Sequence, residues 1–159
     1  MAHTNTRHSP KGLLRLGFRI PVYIYRLGLG WLFGKRLVMI NHVGRKSGAP
    51  HQTVVEIVEG DPQTGEVTVV AGYGAQTQWY QNLKAHRETT IQIGRHRTPV
   101  IAEFITAEDG EEVMSRYVNQ HRKLTGELFS VLGYPWDGTE QGARQIAHDS
   151  LHFVHFRPK

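Results

Sequence analysis

The sequence predicts a β-rich α+β domain built on an antiparallel sheet or barrel. Two features of the chain predict the strands and their direction. Consecutive β-rich segments are joined by short, glycine-containing turns, and strands with tight connections pair antiparallel. These segments do not alternate with long helical patterns, which argues against a parallel βαβ sheet. The third observation is length: 159 residues hold one domain, with enough chain to bury a core without staples.

Residues 1–10 read as a polar, disordered tail without a secretory core or cleavage site, so export is not expected. The single domain is then 11–159. Ser9 and Pro10 supply an N-cap and a first helical residue. They open an N-terminal helix, 11–34, which carries Leu13, Leu14, Phe18, Val22, Leu27, Trp31 and Leu32, and which Pro21 must kink or restart. Arg15, Arg19 and Arg26 make it too charged to span a bilayer. Basic residues and aromatics on an amphipathic helix suit an anionic membrane surface; packing against the domain is the other reading. The expected location is the cytoplasm, peripheral to the inner membrane face if the helix meets lipid.

Strands follow over Arg36–Val43, Thr53–Val58 and Glu66–Ala71. The turn Gly44–Gly48 separates the first two and the loop Asp61–Gly65 the next. Gly72–Gln76 is a loop, and Thr77 is placed to cap a short helix over Trp79–Ala85. Thr89–Ile93 and Arg97–Phe104 alternate around a turn at Gly94–His96. A capping box at Thr106–Asp109 opens a helix reaching about Asn119. Leu124–Leu132 and Glu140–His148 read as helices, and Ser150–Arg157 as a last strand.

Composition narrows the chemistry. There is no cysteine, which excludes disulfides, thiolate metal sites and thiol catalysis. Lys and Arg outnumber Asp and Glu by 19 to 14, giving +5 and an isoelectric point near 9.7, so an anionic partner is favoured. No RRM, KH or helix-turn-helix pattern accompanies that charge, and nucleic acid is not expected as a partner. Ten histidines invite a metal. Yet HExxH is absent, and the closest group, His148, His152 and His155, straddles a helix end and a strand, so no metal is expected. No GxSxG elbow is present. Glu108, Asp109, Glu111 and Glu112 are explained as the acidic first turn of a helix.

Three local patterns carry functional information. Gly44-Arg45-Lys46-Ser47-Gly48 places two cations and a hydroxyl in a glycine-bounded turn, a composition suited to phosphate. It lacks the spacing and following helix of a Walker loop. Gly72-Tyr73-Gly74-Ala75-Gln76-Thr77 leads from strand to helix, but Thr77 replaces the third glycine of the dinucleotide fingerprint. On the short helix Trp79 and Leu83 share a face, and Asn82 offers an amide to a heterocycle.

Taken in order, Gly44–Gly48, the valine-rich strand after it, Val69-Val70-Ala71-Gly72-Tyr73-Gly74 and Trp79-Tyr80-Gln81-Asn82-Leu83-Lys84-Ala85 resemble the deazaflavin-dependent nitroreductase family. The likeness covers about residues 20–120. It implies a flavin-reductase-like split β-barrel of about six antiparallel strands with surrounding helices. It implies an oxidoreductase that moves a hydride from reduced coenzyme F-420 to a quinone or nitro compound. It also implies that Arg45, Lys46 and Ser47 meet the cofactor's phosphate and acidic tail. His51, Gln52, Thr53, Val54 and Val55 would line the cofactor, with Val70, Ala71, Gly72 and Tyr73 beside it. Gln78, Trp79 and Asn82 would sit near the deazaflavin ring, and Tyr73 is the nearest candidate proton donor. Many members carry arginine at the place of His51, and serine and lysine at the places of Gly72 and Tyr73. FMN or a tetrapyrrole as ligand, and a non-catalytic F-420 carrier, are the alternatives.

Overall fold

The computed structural model describes residues 36–159; the tail and the helix read over 11–34 lie outside the described residues. Six strands form as the hydrophobic alternation requires: β1 (Leu37–Val43), β2 (Pro50–Asp61), β3 (Glu66–Ala71), β4 (Glu88–Ile93), β5 (His96–Phe104) and β6 (His152–Pro158). The helices are α1 (Gln78–Ala85), α2 (Ala107–Gln120), α3 (Arg122–Leu132) and α4 (Glu140–Ser150). Strand neighbours run β1-β2-β3-β6-β5-β4 and close back onto β1, every pair antiparallel. Closure gives every strand a neighbour on both sides, although β2 meets β3 only over Ile57–Asp61.

Side chains alternate across each strand, and the two faces bury against different partners. Val38, Ile40, Val67, Val69, Ile91, Val100, Val154 and Phe156 fill the barrel interior. Trp79, Tyr80 and Leu83 of α1 join that same core. On the outer face Val58, Val70 and Phe153 pack beneath α2, α3 and α4, against Met114, Tyr117, Phe129 and Ala147. Gly110 lets α2 approach closely: a Cβ there would stand 2.9 Å from the Phe153 ring. The bidentate Arg116–Glu59 pair, at 2.7 and 3.0 Å, ties α2 to β2.

Two expectations need correction. β2 is twelve residues long, not the six of Thr53–Val58. The β1–β2 register carries pairing through to Val43 opposite Pro50, where a proline is tolerated as the first residue of a strand. At its far end Gly60, at φ +113°, pairs with Val67, and a Cβ there would collide with the Glu66 carbonyl oxygen. Thr77 stands at the N-cap position of α1 but makes no side-chain cap. Its hydroxyl instead donates to the Gly74 carbonyl at 2.8 Å, closing the glycine loop on itself. The hydroxyls of Thr106 and Thr139 do cap α2 and α4, accepting from Asp109 N and Gly142 N.

Candidate functional site at the basic turn

The β1–β2 loop closes with Gly44 N donating to Ala49 O and Gly48 N to Gly44 O, both at 2.9 Å. Gly48 holds φ +70°, a conformation that disfavours other residues. Ala49 N donates to Ser47 Oγ at 3.2 Å. A side chain at Gly44 has no room, since its Cβ would come within 2.5 Å of Ser47 Oγ. Arg45 N donates to Asn82 Oδ1 at 3.1 Å. The loop thus commits the main-chain N–H groups of Gly44, Arg45, Gly48 and Ala49, while those of Lys46 and Ser47 have no partner among the described residues.

Helix α1 clamps this loop from below. The Arg45 guanidinium donates from Nη1 to Gln78 Oε1 and to Asn82 Oδ1, both at 2.9 Å. Gln78 and Asn82 stand one turn apart, so one face of α1 presents both oxygens. Asn82 is 4% exposed, and its Nδ2 lies 3.0 Å from Nδ1 of buried His42. His42 pairs with His51 across the β1–β2 hairpin, their rings stacked at 5.5 Å. Burial, assisted by His51, pulls the His42 imidazole down from 6.5 to about 4, so it is neutral near pH 7. Lys46 is exposed and has no hydrogen bond or ion pair among the described residues.

Of the residues read from sequence, Arg45, Gln78 and Asn82 therefore come into direct contact, with Lys46 and Ser47 at the same tip. The β2 residues divide by face. His51, Thr53 and Val55 alternate onto the side that holds His42 and the barrel interior, and Val55 packs on that core. Gln52 and Val54 take the other side, where Gln52 donates to Asn41 Oδ1 at 3.0 Å. Ala71 and Val70 separate in the same way, Ala71 into the barrel and Val70 under the helices. Trp79 is 8% exposed and packs edge-on to Tyr80 within the barrel core.

Gly72 and Tyr73 sit beside the helical layer. A Cβ on Gly72 would stand 2.5 Å from both terminal methyls of Leu132, so a larger residue here would press on that side chain. Tyr134 donates to the Gly72 carbonyl at 3.1 Å, and half-buried Tyr73 packs on the same cluster. Tyr117, the other late tyrosine, donates to Glu56 at 2.7 Å from α2. Burial and that carboxylate push its hydroxyl far above the ordinary tyrosine range. The three clustered histidines have separate neighbours: His148 beside Asp149, His152 against the Tyr80 ring, His155 on Thr68.

Sequence reasoning missed His42 as part of this cluster. His42 and His51 flank the turn, but a hairpin about Gly44–Gly48 would not set them opposite each other; they pair because the ladder closes at Val43 and Pro50.

The family model described as F420H(2)-dependent quinone reductase matches residues 19–125. Rv3178 of Mycobacterium tuberculosis, which carries that quinone reductase name provisionally, is 28% identical over 96 residues, covering 60% of this chain and 81% of that protein. Two solved structures share the fold. The conserved hypothetical protein Rv2991 of Mycobacterium tuberculosis is 14% identical, covering 85% of this chain and 79% of that one, at a TM-score of 0.55. A pyridoxamine 5′-phosphate oxidase-related, FMN binding protein of Nostoc punctiforme is 12% identical, covering 93% and 81%, at 0.51. The barrel is therefore the six-stranded split β-barrel that the resemblance implied. With two thirds of its length matched by the family model, the chain belongs to the family of quinone reductases that use reduced coenzyme F-420.

Proposed function

We propose that the Arg45–Ser47 tip is where this chain anchors the phosphate and acidic tail of coenzyme F-420, and that nitro compounds join quinones as acceptors. The observation that carries the anchor is the division of labour between neighbours. Arg45 is held by Gln78 and Asn82 at 2.9 Å, while Lys46 and two main-chain N–H groups have no partner among the described residues. That set fits an anion: a guanidinium held by α1, an exposed ammonium and two amide donors in one turn.

Reduced F-420, when bound, supplies the hydride. The chain's own residues bind, orient and shield. Lys46 and the turn amides hold negative charge, and the α1 clamp keeps the turn from collapsing onto itself. His51 stays exposed beside the turn and is available to line the cofactor, whereas Val55 packs on and Ala71 lies within the filled barrel core. Tyr73 is proposed to hold the proton that the reduced acceptor takes up.

The same proposal extends to location. Helix 11–34 would hold the enzyme on the cytoplasmic membrane face, within reach of a lipid quinone, through its arginines and aromatics. Among the described residues no helix is long and apolar enough to cross a membrane. Flotation with anionic liposomes tests the docking: the full chain should float and a folded chain starting at Leu37 should not. Equal partitioning of the two removes the membrane from the account.

Parallel titrations with oxidised F-420 and FMN, read by ligand fluorescence, test the anchor's selectivity. F-420 should bind tighter, because its acidic tail adds charge that the basic turn can use. A preference for FMN contradicts the assignment of that turn. Steady-state assays with reduced F-420 then compare quinone and nitroaromatic acceptors, and a Tyr73→Phe enzyme with unchanged turnover refutes the proton role.

A further inference from the structure

The orientation of one buried amide fixes the protonation pattern of the ring behind it. Asn82 Oδ1 receives two donors whose identity is beyond ambiguity, the Arg45 main-chain N–H and its guanidinium Nη1. The atom facing Arg45 must therefore be oxygen, and the atom facing His42 must be Nδ2, which can only donate. His42 Nδ1, 3.0 Å away, must accept. That requires a neutral ring with its proton on Nε2. A proton on Nδ1 would set N–H against N–H and drive the amide to rotate, turning its nitrogen toward the Arg45 donors.

We propose that His42 is a positioning residue for cofactor binding: its Nε2–H tautomer holds the Asn82 amide, and through it Arg45, in the form that presents the basic turn. This rests on the reading of the turn as the F-420 anchor. Three elements meet here: β1 supplies His42, α1 supplies Asn82, and the turn supplies Arg45. His51 of β2 stacks on the ring and is the titratable side chain in face contact with it. The contacts span 37 and 40 residues of sequence, so the relay stands only when the barrel is closed and α1 is seated.

Long-range nitrogen–proton correlation spectra of the full chain, without cofactor at pH 7, read the tautomer directly. The expected result is a protonated Nε2 and a bare, hydrogen-bonded Nδ1 on His42; an Nδ1–H tautomer or an imidazolium overturns the proposal. Affinity for oxidised F-420 is then compared across variants. His42→Asn keeps an acceptor near the Nδ1 position and should bind within about threefold of the parent, whereas His42→Leu removes it and should bind about tenfold more weakly. A folded His42→Leu chain with parental affinity overturns the proposal, as does a His42→Asn chain no better than His42→Leu. Arg45→Ala separates the two layers. If it binds F-420 as the parent does, the anchor reading itself fails; if it binds weakly while His42→Leu does not, only the positioning role fails.

Discussion

Arg45 donates twice to one oxygen of Asn82, from its main chain at 3.1 Å and from its guanidinium at 2.9 Å. A single side chain of α1 thus fixes both the backbone path of the turn and the direction of its first cation. Replacing Asn82 by Ala leaves the His42 acceptor unpaired in a buried place and the part-buried Arg45 N–H without its partner, a loss of about 1–3 kcal/mol of stability. Urea denaturation checks this, and an unchanged midpoint would show that the clamp contributes nothing.

Asn82→Asp is the more discriminating change. A carboxylate keeps both Arg45 bonds but faces His42 with a second oxygen, so Nδ1 must carry a proton to pair with it, and the added negative charge favours the imidazolium. The His42 titration should move up from about 4, followed by NMR. A titration that stays low would mean that Asn82 Nδ2 is not the atom His42 meets.

The same histidine makes stability depend on pH. Its folded value, about 4, lies below the ordinary 6.5, so the unfolded chain takes up the proton first as pH falls. The contribution is fully present above 6.5, declines toward 4, and levels off below. It amounts to at most about 3 kcal/mol. His42→Asn should flatten the fall in unfolding free energy between pH 6.5 and 4 relative to the parent; parallel curves would assign that fall to other groups.

Gly72 abuts Leu132, whose methyls lie 2.5 Å from where a Cβ would stand. Gly72→Ala should cost about 1–2 kcal/mol, part of the clash being relieved by rotation of Leu132. Gly72→Ala combined with Leu132→Ala should then lose less than the two single costs together. Strict additivity in chemical denaturation would show that the two residues do not compete for space.

Most of the barrel was legible in the sequence, because its strands are short, alternating and bounded by glycine. Glu66–Ala71 is found with the bounds read from the sequence. The ends of β2 were not legible: residues 50–52 carry no apolar alternation and are strand only because β1 pairs with them. The basic turn was visible by composition, but its support was not. A 3.6-residue period says that Trp79 and Leu83 share a face, and it cannot say which face meets the core. Once both enter the barrel, Gln78 and Asn82 are left toward the turn, and the amide set aside for a heterocycle is largely taken up by Arg45 and His42. Strand alternation likewise halves the lining read over residues 51–55, since five consecutive residues cannot share one face.

The proposed F-420 anchor rests on Lys46, which is exposed and has no hydrogen bond or ion pair among the described residues. Its most direct test is equilibrium titration of the parent and Lys46→Ala with oxidised F-420, at low and high salt. The account predicts weaker binding by about 1–3 kcal/mol in the variant at low salt, with the gap narrowing as salt screens the charge. Equal affinity for parent and variant at both salt concentrations would contradict it.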